Sequence, residues 1–317
     1  ATPWAFISLA VCMMAGTASL PHVMMRYFTT PSVRTARRSV GWSLFFIFLL
    51  YSSAPMLATL SKISLMDPNL ATGIIGKSIT EVQALDWYQN WNQAKLMFVS
   101  DFNGNGTLEL NEFFMKGSAV VLATPEIAGL PYVISGLVAA GGMAAAMSTA
   151  DGLVLAISNA LSHDVYYKII NPKAETAKRL IVARVLLVLI GFAGATIAAL
   201  EIQGILGSVI WAFDFAMSGL FFPLVLGVWW KRANAPGAVA GMLLGLISGT
   251  AYLVWVRSGG SGFLGITQLT FGIVGASVSL VSMIVVSLIT AAPDAATQKM
   301  VDDVRVPSGK TILGKQH

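Results

Sequence analysis

The sequence predicts an all-α, polytopic membrane protein, and three observations predict it. Hydrophobic residues make up 56% of the 317 residues and charged ones only 11%, with a mean hydropathy of +0.73. Apolar stretches near the ~20 residues that cross a bilayer recur along the chain. Basic residues gather in alternate loops, as a topology retained by its cytoplasmic cations requires.

Seven spans are expected, at residues 4–20, 40–60, 129–162, 180–200, 205–229, 237–255 and 268–290. The third exceeds one straight crossing, so it tilts or continues as helix beyond the membrane surface. Arg26, Arg34, Arg37 and Arg38 follow the first span, and Lys168, Lys173, Lys178 and Arg179 follow the third. Lys231 and Arg232 follow the fifth, and Lys299, Arg305, Lys310 and Lys315 lie in the tail. The other face carries only Lys62, Lys77, Lys95, Lys116 and Arg257, with acids in excess. The first span therefore starts outside and the tail ends in the cytoplasm. The net charge of +5 reflects this inside bias. Its dispersal among loops excludes a nucleic-acid patch and leaves the lipid bilayer as the partner.

Four regions follow: residues 1–61 with two spans, the first broken; an extracytoplasmic insertion at 62–126; five spans within 127–290; and a cytoplasmic tail at 291–317. Cys12 is the single cysteine, which excludes a disulfide within the chain. The chain opens Ala-Thr-Pro-Trp without an initiator Met or a charged lead. An outside start with nothing to deliver it predicts upstream spans that precede Ala1.

The insertion holds Asp101-Phe-Asn103-Gly-Asn105-Gly106-Thr107-Leu-Glu109-Leu-Asn-Glu112. This spacing fits a twelve-residue EF-hand-like calcium loop. Asp101, Asn103, Asn105 and Glu109 offer side-chain oxygens, Thr107 its carbonyl, and Glu112 the bidentate closing carboxylate. Residues 86–100, with Trp87, Trp91, Met97 and Phe98, read as its amphipathic entering helix. A solvated Gly-Asn turn is the plainer alternative. A lone loop with two Asn ligands predicts weak affinity, ~0.1–1 mM as in extracellular modules, and a structural calcium ion rather than a switch.

Two places interrupt apolar sequence. In Ala15-Gly16-Thr17-Ala18-Ser19-Leu20-Pro21-His22, Gly, two hydroxyls and Pro loosen the helix. Freed carbonyls there would serve a solute or ion, as in discontinuous transporter helices, or the feature is a simple proline kink. Arg26 would attract an anion or only anchor the topology. In Gly141-Gly-Met-Ala-Ala-Ala-Met-Ser148-Thr149-Ala-Asp151, small residues at 136, 140, 144 and 148 form a close-packing stripe. Ser148 and Thr149 serve either an ion or their own helix's carbonyls. Asp151 and Asp214, acids inside apolar sequence, are functional candidates for a substrate pathway. Asp214 has three options: protonated, paired with a residue upstream of this chain, or exposed to a water-filled cavity. His22, His163 and His317 are too dispersed for a metal cage, and no phosphate loop or Ser-His-Asp arrangement appears, so no enzyme is expected.

Gly16-Thr-Ala-Ser-Leu-Pro-His22 with Met25-Arg-Tyr-Phe, Ala144-Ala-Ala-Met-Ser-Thr-Ala-Asp151, Leu161-Ser-His-Asp-Val-Tyr166 and Trp229-Trp-Lys-Arg-Ala-Asn234 with Gly237 and Gly241 closely resemble the sodium/solute symporter family. Within it the chain is most similar to the acetate-permease-like, monocarboxylate branch. The insertion around residues 101–112 departs from the family's short connection. The resemblance implies two inverted repeats of five helices, with this chain supplying the second repeat and two peripheral helices. It implies sodium at Ala145 (carbonyl), Ser148 and Thr149 (hydroxyls), and remaining ligands on a missing N-terminal half. It implies sodium-coupled symport of a small monocarboxylate such as acetate or pyruvate in the cell membrane, expected to be a bacterial inner membrane. Gly16, Thr17, Ser19 and Pro21 would line the substrate pathway, where a half-helix end meets an anion. Symport of an amino acid such as proline, and a non-transporting membrane sensor, stay open as alternatives, as does a small membrane subunit as partner.

Overall fold

The computed structural model describes residues 3–25, 29–200 and 202–305. Among them, six helices are long and apolar enough to cross a membrane: Val33–Met66, Tyr132–Ile170, Thr176–Ala199, Ile205–Trp229, Ala235–Arg257 and Gly272–Ile289. The expected seventh is a shorter apolar helix, α1 (Pro3–Ser19). At ~1.5 Å per residue its 17 residues reach about 25 Å, short of a ~30 Å hydrocarbon core. It stops ahead of Pro21, which has no N–H to give. Leu20 turns extended (φ −71°, ψ 117°) and a single turn, α2 (Pro21–Met24), follows. Arg26 lies outside the described residues, as do Lys310, Lys315 and His317.

The second span, α3 (Val33–Met66), begins ahead of the expected residue 40. Ser32 Oγ accepts the Thr35 amide at 3.1 Å, an N-cap that draws Arg34, Arg37 and Arg38 into the helix. At its far end α3 also takes in Lys62, the residue expected to open the insertion.

By chain contacts the protein divides into two compact units, residues 38–151 and residues 1–37 with 152–317. In the first, the insertion folds around its own core of Leu65, Ile74, Val82, Tyr88, Met97, Leu108 and Ala123, all buried. Its elements are α4 (Ile79–Gln83), α5 (Asp86–Gln93), strands β1 (Met97–Val99) and β2 (Phe113–Met115), and α6 (Val120–Ile127). The strands pair antiparallel, with Val99 opposite Phe113. This corrects two expectations. The fold is helical but not wholly so, and the entering helix expected to reach Ser100 ends at Gln93. The helix ends because Lys95 takes a left-handed φ of 57°, after which Met97 points into the core and Phe98 outward, the two-residue alternation of a strand. Tyr88 holds the turn together: its hydroxyl oxygen accepts the Val99 amide at 3.1 Å and the Asn92 side-chain amide at 3.0 Å. Ser61 and Thr124 share a 2.8 Å hydroxyl contact between the end of α3 and α6.

The long third span is α7 (Tyr132–Asn159), which continues through a π-helical segment, Ala160–Ile170. That segment and α8 (Thr176–Ala199) belong to the second unit, as do α9 (Ile205–Ala216), a π-helical turn at Met217–Phe221, α10 (Phe222–Trp229), α11 (Ala235–Arg257), α12 (Gly272–Ile289) and α13 (Ala295–Arg305). α11 and α12 form its tightest pair. Gly237, Gly241, Gly245 and Gly249, four apart, are all buried; the first three face Gly275, Ser279, Met283 and Ser287 of α12, and Gly249 meets Ser218 and Phe271. In lipid, such small residues allow backbone approach where no hydrophobic drive distinguishes side chain from solvent. The Trp229–Asn234 motif closes the end of the pair. Arg232 donates to the Thr290 carbonyl at 2.7 Å, and Asn234 caps α11 by accepting the Gly237 amide at 3.0 Å. Lys231 pairs with Asp302 of α13 at 2.7 Å.

Candidate functional site

The residues expected to hold an ion on α7 share one accessible stretch of helix. Ala145, Ser148, Thr149 and Asp151 are all exposed. Thr149 Oγ1 donates to the Ala145 carbonyl at 3.4 Å, long for a hydroxyl donor, so two of the three expected ligands lie one turn apart in a weak contact. The small-residue stripe is open at its first position as well: a Cβ at Gly136 would meet nothing within 4 Å.

At the other candidate site, local helix bonding accounts for both hydroxyls. Thr17 Oγ1 donates to the Met13 carbonyl and buried Ser19 Oγ to the Ala15 carbonyl, each at 2.6 Å. The helix break at Leu20–Pro21 is real but stands at the end of α1. Gly16 marks a close crossing, where a Cβ would strike the Phe213 backbone of α9.

One residue beyond that crossing lies Asp214, fully buried. Its carboxyl faces the Cys12 thiol of α1 and the Phe271 and Gly272 amides at the start of α12. None of these meets full hydrogen-bond geometry at either carboxyl oxygen. Ser218 of the π-helical turn donates to the Asp214 carbonyl at 2.7 Å, and Cys12, Ala15, Met217 and Ala276 pack as an apolar cluster nearby. The neighbours of Asp214, namely Cys12 and the head of α12, were not legible as such, because nothing local ties residue 214 to residue 12 or residue 272.

The insertion loop arranges every expected calcium ligand in one turn. Gly104 and Gly106 take φ of 72° and 70°, values that favour glycine. Asp101 accepts their amides at 2.7 and 3.0 Å; Asn103 and Asn105 each accept the amide two residues on, at 2.9 and 2.7 Å. Glu112 is fully buried and accepts the Phe102 and Glu109 amides, both at 3.0 Å, while Glu109 accepts the Asn103 and Asn105 side-chain amides. An all-oxygen donor set fits a hard cation in kind. In this arrangement, however, those oxygens serve the loop's own N–H groups, and among the described residues no three His, Cys, Asp or Glu side chains converge on one point. Strands, not helices, flank the loop, and Thr107 bridges to Ser78.

Residues 116–245 match the model of the sodium:solute symporter family, a stretch that includes α7 and Asp214. An uncharacterized symporter from Cupriavidus necator is 41% identical over 295 residues, covering 90% of this chain and 42% of that protein. A monocarboxylic acid transporter from Corynebacterium glutamicum is 28% identical over 245 residues, covering 77% of this chain and 37% of that protein. The chain thus spans about two fifths of the length of the curated relatives it matches. Six apolar helices and these relatives make it a multi-pass cell-membrane protein.

Proposed function

This chain is a relative of the sodium:solute symporters, and from that premise we propose that the protein to which it belongs moves a small monocarboxylate, acetate or pyruvate, inward with sodium. The observation that carries this reading is the pair of relatives, one named a symporter and one a monocarboxylic acid transporter. In this reading, Ala145, Ser148 and Thr149 give sodium neutral oxygens, which suit a hard cation that must bind and leave each cycle. The weak Thr149 to Ala145 contact supports it, since little is lost when an ion takes that contact's place. The remaining ligands come from elsewhere in the full-length protein, as in one inverted repeat paired with another. Gly16, Thr17, Ser19 and Pro21 border the solute path at the broken end of α1, and Asp151 and Asp214 are further candidates to serve the solute; a small membrane subunit is a further partner to look for.

Coupling requires sodium to bind one transport state better than the other. Each sodium moving down 100 mV releases about 2.3 kcal/mol, but a monocarboxylate anion carried with it costs the same, so a one-to-one cycle is driven by the sodium concentration gradient, at about 1.4 kcal/mol per decade, and only a second cation adds the potential. The same protein binds calcium at Asp101, Asn103, Asn105, Thr107, Glu109 and Glu112, as a brace for the extracytoplasmic insertion. The preformed turn supports this, although Glu109 and Glu112 must exchange their present hydrogen bonds for the ion. Uptake of labelled acetate and pyruvate into vesicles carrying the full-length protein, with and without a sodium gradient, tests the transport reading. Uptake of neither acid would redirect it to an amino acid such as proline, or to a sensor.

A further inference from the structure

We propose that Asp214 is a proton-binding site, loaded while α1 is packed on α9 and α12 and unloaded only when α1 moves away. The acid is fully buried, and neither carboxyl oxygen has a hydrogen-bond partner of full geometry. Among the described residues no countercharge faces it. α1 offers Cys12 as its one titratable side chain, and α12, α10 and the π-helical turn between α9 and α10 carry no charged residue. α11 touches α9 more lightly and ends in Arg257, whose guanidinium stacks over the Trp211 ring at 5.1 Å; its Tyr252 hydroxyl donates to the Ile266 carbonyl at 3.0 Å. A carboxylate sealed from water needs a countercharge or a full set of donors, and otherwise neutralises by taking a proton.

The enclosing contacts select the cation. A Cβ built on Gly272 would lie 3.0 Å from Asp214 Oδ1 and 3.1 Å from its Cγ, so α12 already closes on the carboxyl. A proton needs no added volume there, whereas a metal ion does. Loading is one protonation, in which the carboxylate takes H⁺ from water and loses its charge; unloading returns H⁺ to water. Gly16, where α1 crosses the Phe213 backbone, is the contact that must open for water to reach the acid. The competing reading is an ionised Asp214 that caps α12 through the Phe271 and Gly272 amides, because the positive end of a helix favours an anion. Use of this proton as a second coupling ion would rest on the transport reading above; the proton site itself does not.

Infrared difference spectroscopy on the full-length protein in lipid at neutral pH decides between them. The proposal predicts the carbonyl stretch of a protonated carboxylic acid, absent in Asp214→Asn and shifted in Asp214→Glu. No such band in the parent, with a carboxylate band lost in the variant instead, would overturn it. Asp214→Asn imitates the neutral acid, so it should unfold at the parent's temperature; a marked fall would support the ionised cap and overturn the proposal. Loss of all solute uptake alongside a clear Asp214 band would sink the transport reading and leave the proton site standing.

Discussion

A single methyl group on Gly245 should force α11 and α12 apart. A Cβ there would lie 2.8 Å from Ser279 Cβ and 3.1 Å from the Gly275 carbonyl oxygen, and would collide with the Ser218 carbonyl. Carbon atoms prefer roughly 3.5–4.0 Å, so the shortfall is about 1 Å. Two of the three neighbours are backbone, so whole helices must shift. Overpacking of this kind costs about 1–3 kcal/mol, while Ala regains at most about 1 kcal/mol of helix propensity over Gly. Gly245→Ala is therefore expected to destabilise, by up to about 2 kcal/mol once the propensity gain is taken off. Gly227→Ala is the matched control, because a Cβ there meets nothing within 4 Å, and it should be neutral or slightly stabilising. Thermal unfolding of the full-length protein and both variants in one detergent reads the difference. Equal stability of the two variants would refute the claim that the glycine stripe sets the distance between α11 and α12.

Three further outcomes follow from the insertion and the tail. Tyr88→Phe removes the acceptor of the Val99 amide and the Asn92 side chain, so the insertion should lose about 1–3 kcal/mol and be cut faster by protease, with the membrane helices unaffected. If the loop binds calcium, millimolar calcium should slow proteolysis of the insertion and EDTA should reverse the effect; Glu112→Gln should abolish the response, and protection that persists in the variant would end the calcium reading. Asp294 caps α13 by accepting the Thr297 amide at 3.0 Å, and the Thr297 hydroxyl and amide hold its carboxyl below the usual range. The cap is thus fully present above the unfolded-state value of about 3.9 and is lost as pH falls through the lower folded value. Amide exchange in the first turn of α13 should rise there, and Asp294→Asn should flatten that pH dependence.

Much of this architecture was legible because apolar length is a local signal. The overlong third span did continue past a straight crossing, as α7 and its π-helical extension, and the Gly16–Pro21 stretch did end a helix. The strands at 97–99 and 113–115 were not legible, because Trp87 and Trp91 carry a helical period that the sequence alone extends through Met97. Their pairing depends on a long-range contact, Val99 with Phe113, and on the left-handed Lys95. The two hydroxyl motifs illustrate the same limit at the sites. Thr17 and Ser19 find carbonyls one turn back, the fate open to any such residue in an apolar helix, while Thr149 reaches its carbonyl only at 3.4 Å. Sequence marked both as polar interruptions and had no means to rank them. Asp214 was marked as an acid in a span, but its enclosure by Cys12 and Gly272 comes from helices distant in sequence.

The central claim is that the α7 oxygens couple sodium to solute movement. Sodium-driven uptake of labelled acetate and pyruvate should be measured in vesicles bearing the full-length protein, Ser148→Ala or Thr149→Ala at matched surface levels. The account predicts uptake in the parent that collapses without a sodium gradient. In both variants half-saturation should need at least tenfold more sodium, as loss of about 1.4 kcal/mol of ion binding requires. Variants that match the parent's sodium dependence would contradict the assignment and return Ser148 and Thr149 to ordinary helix packing.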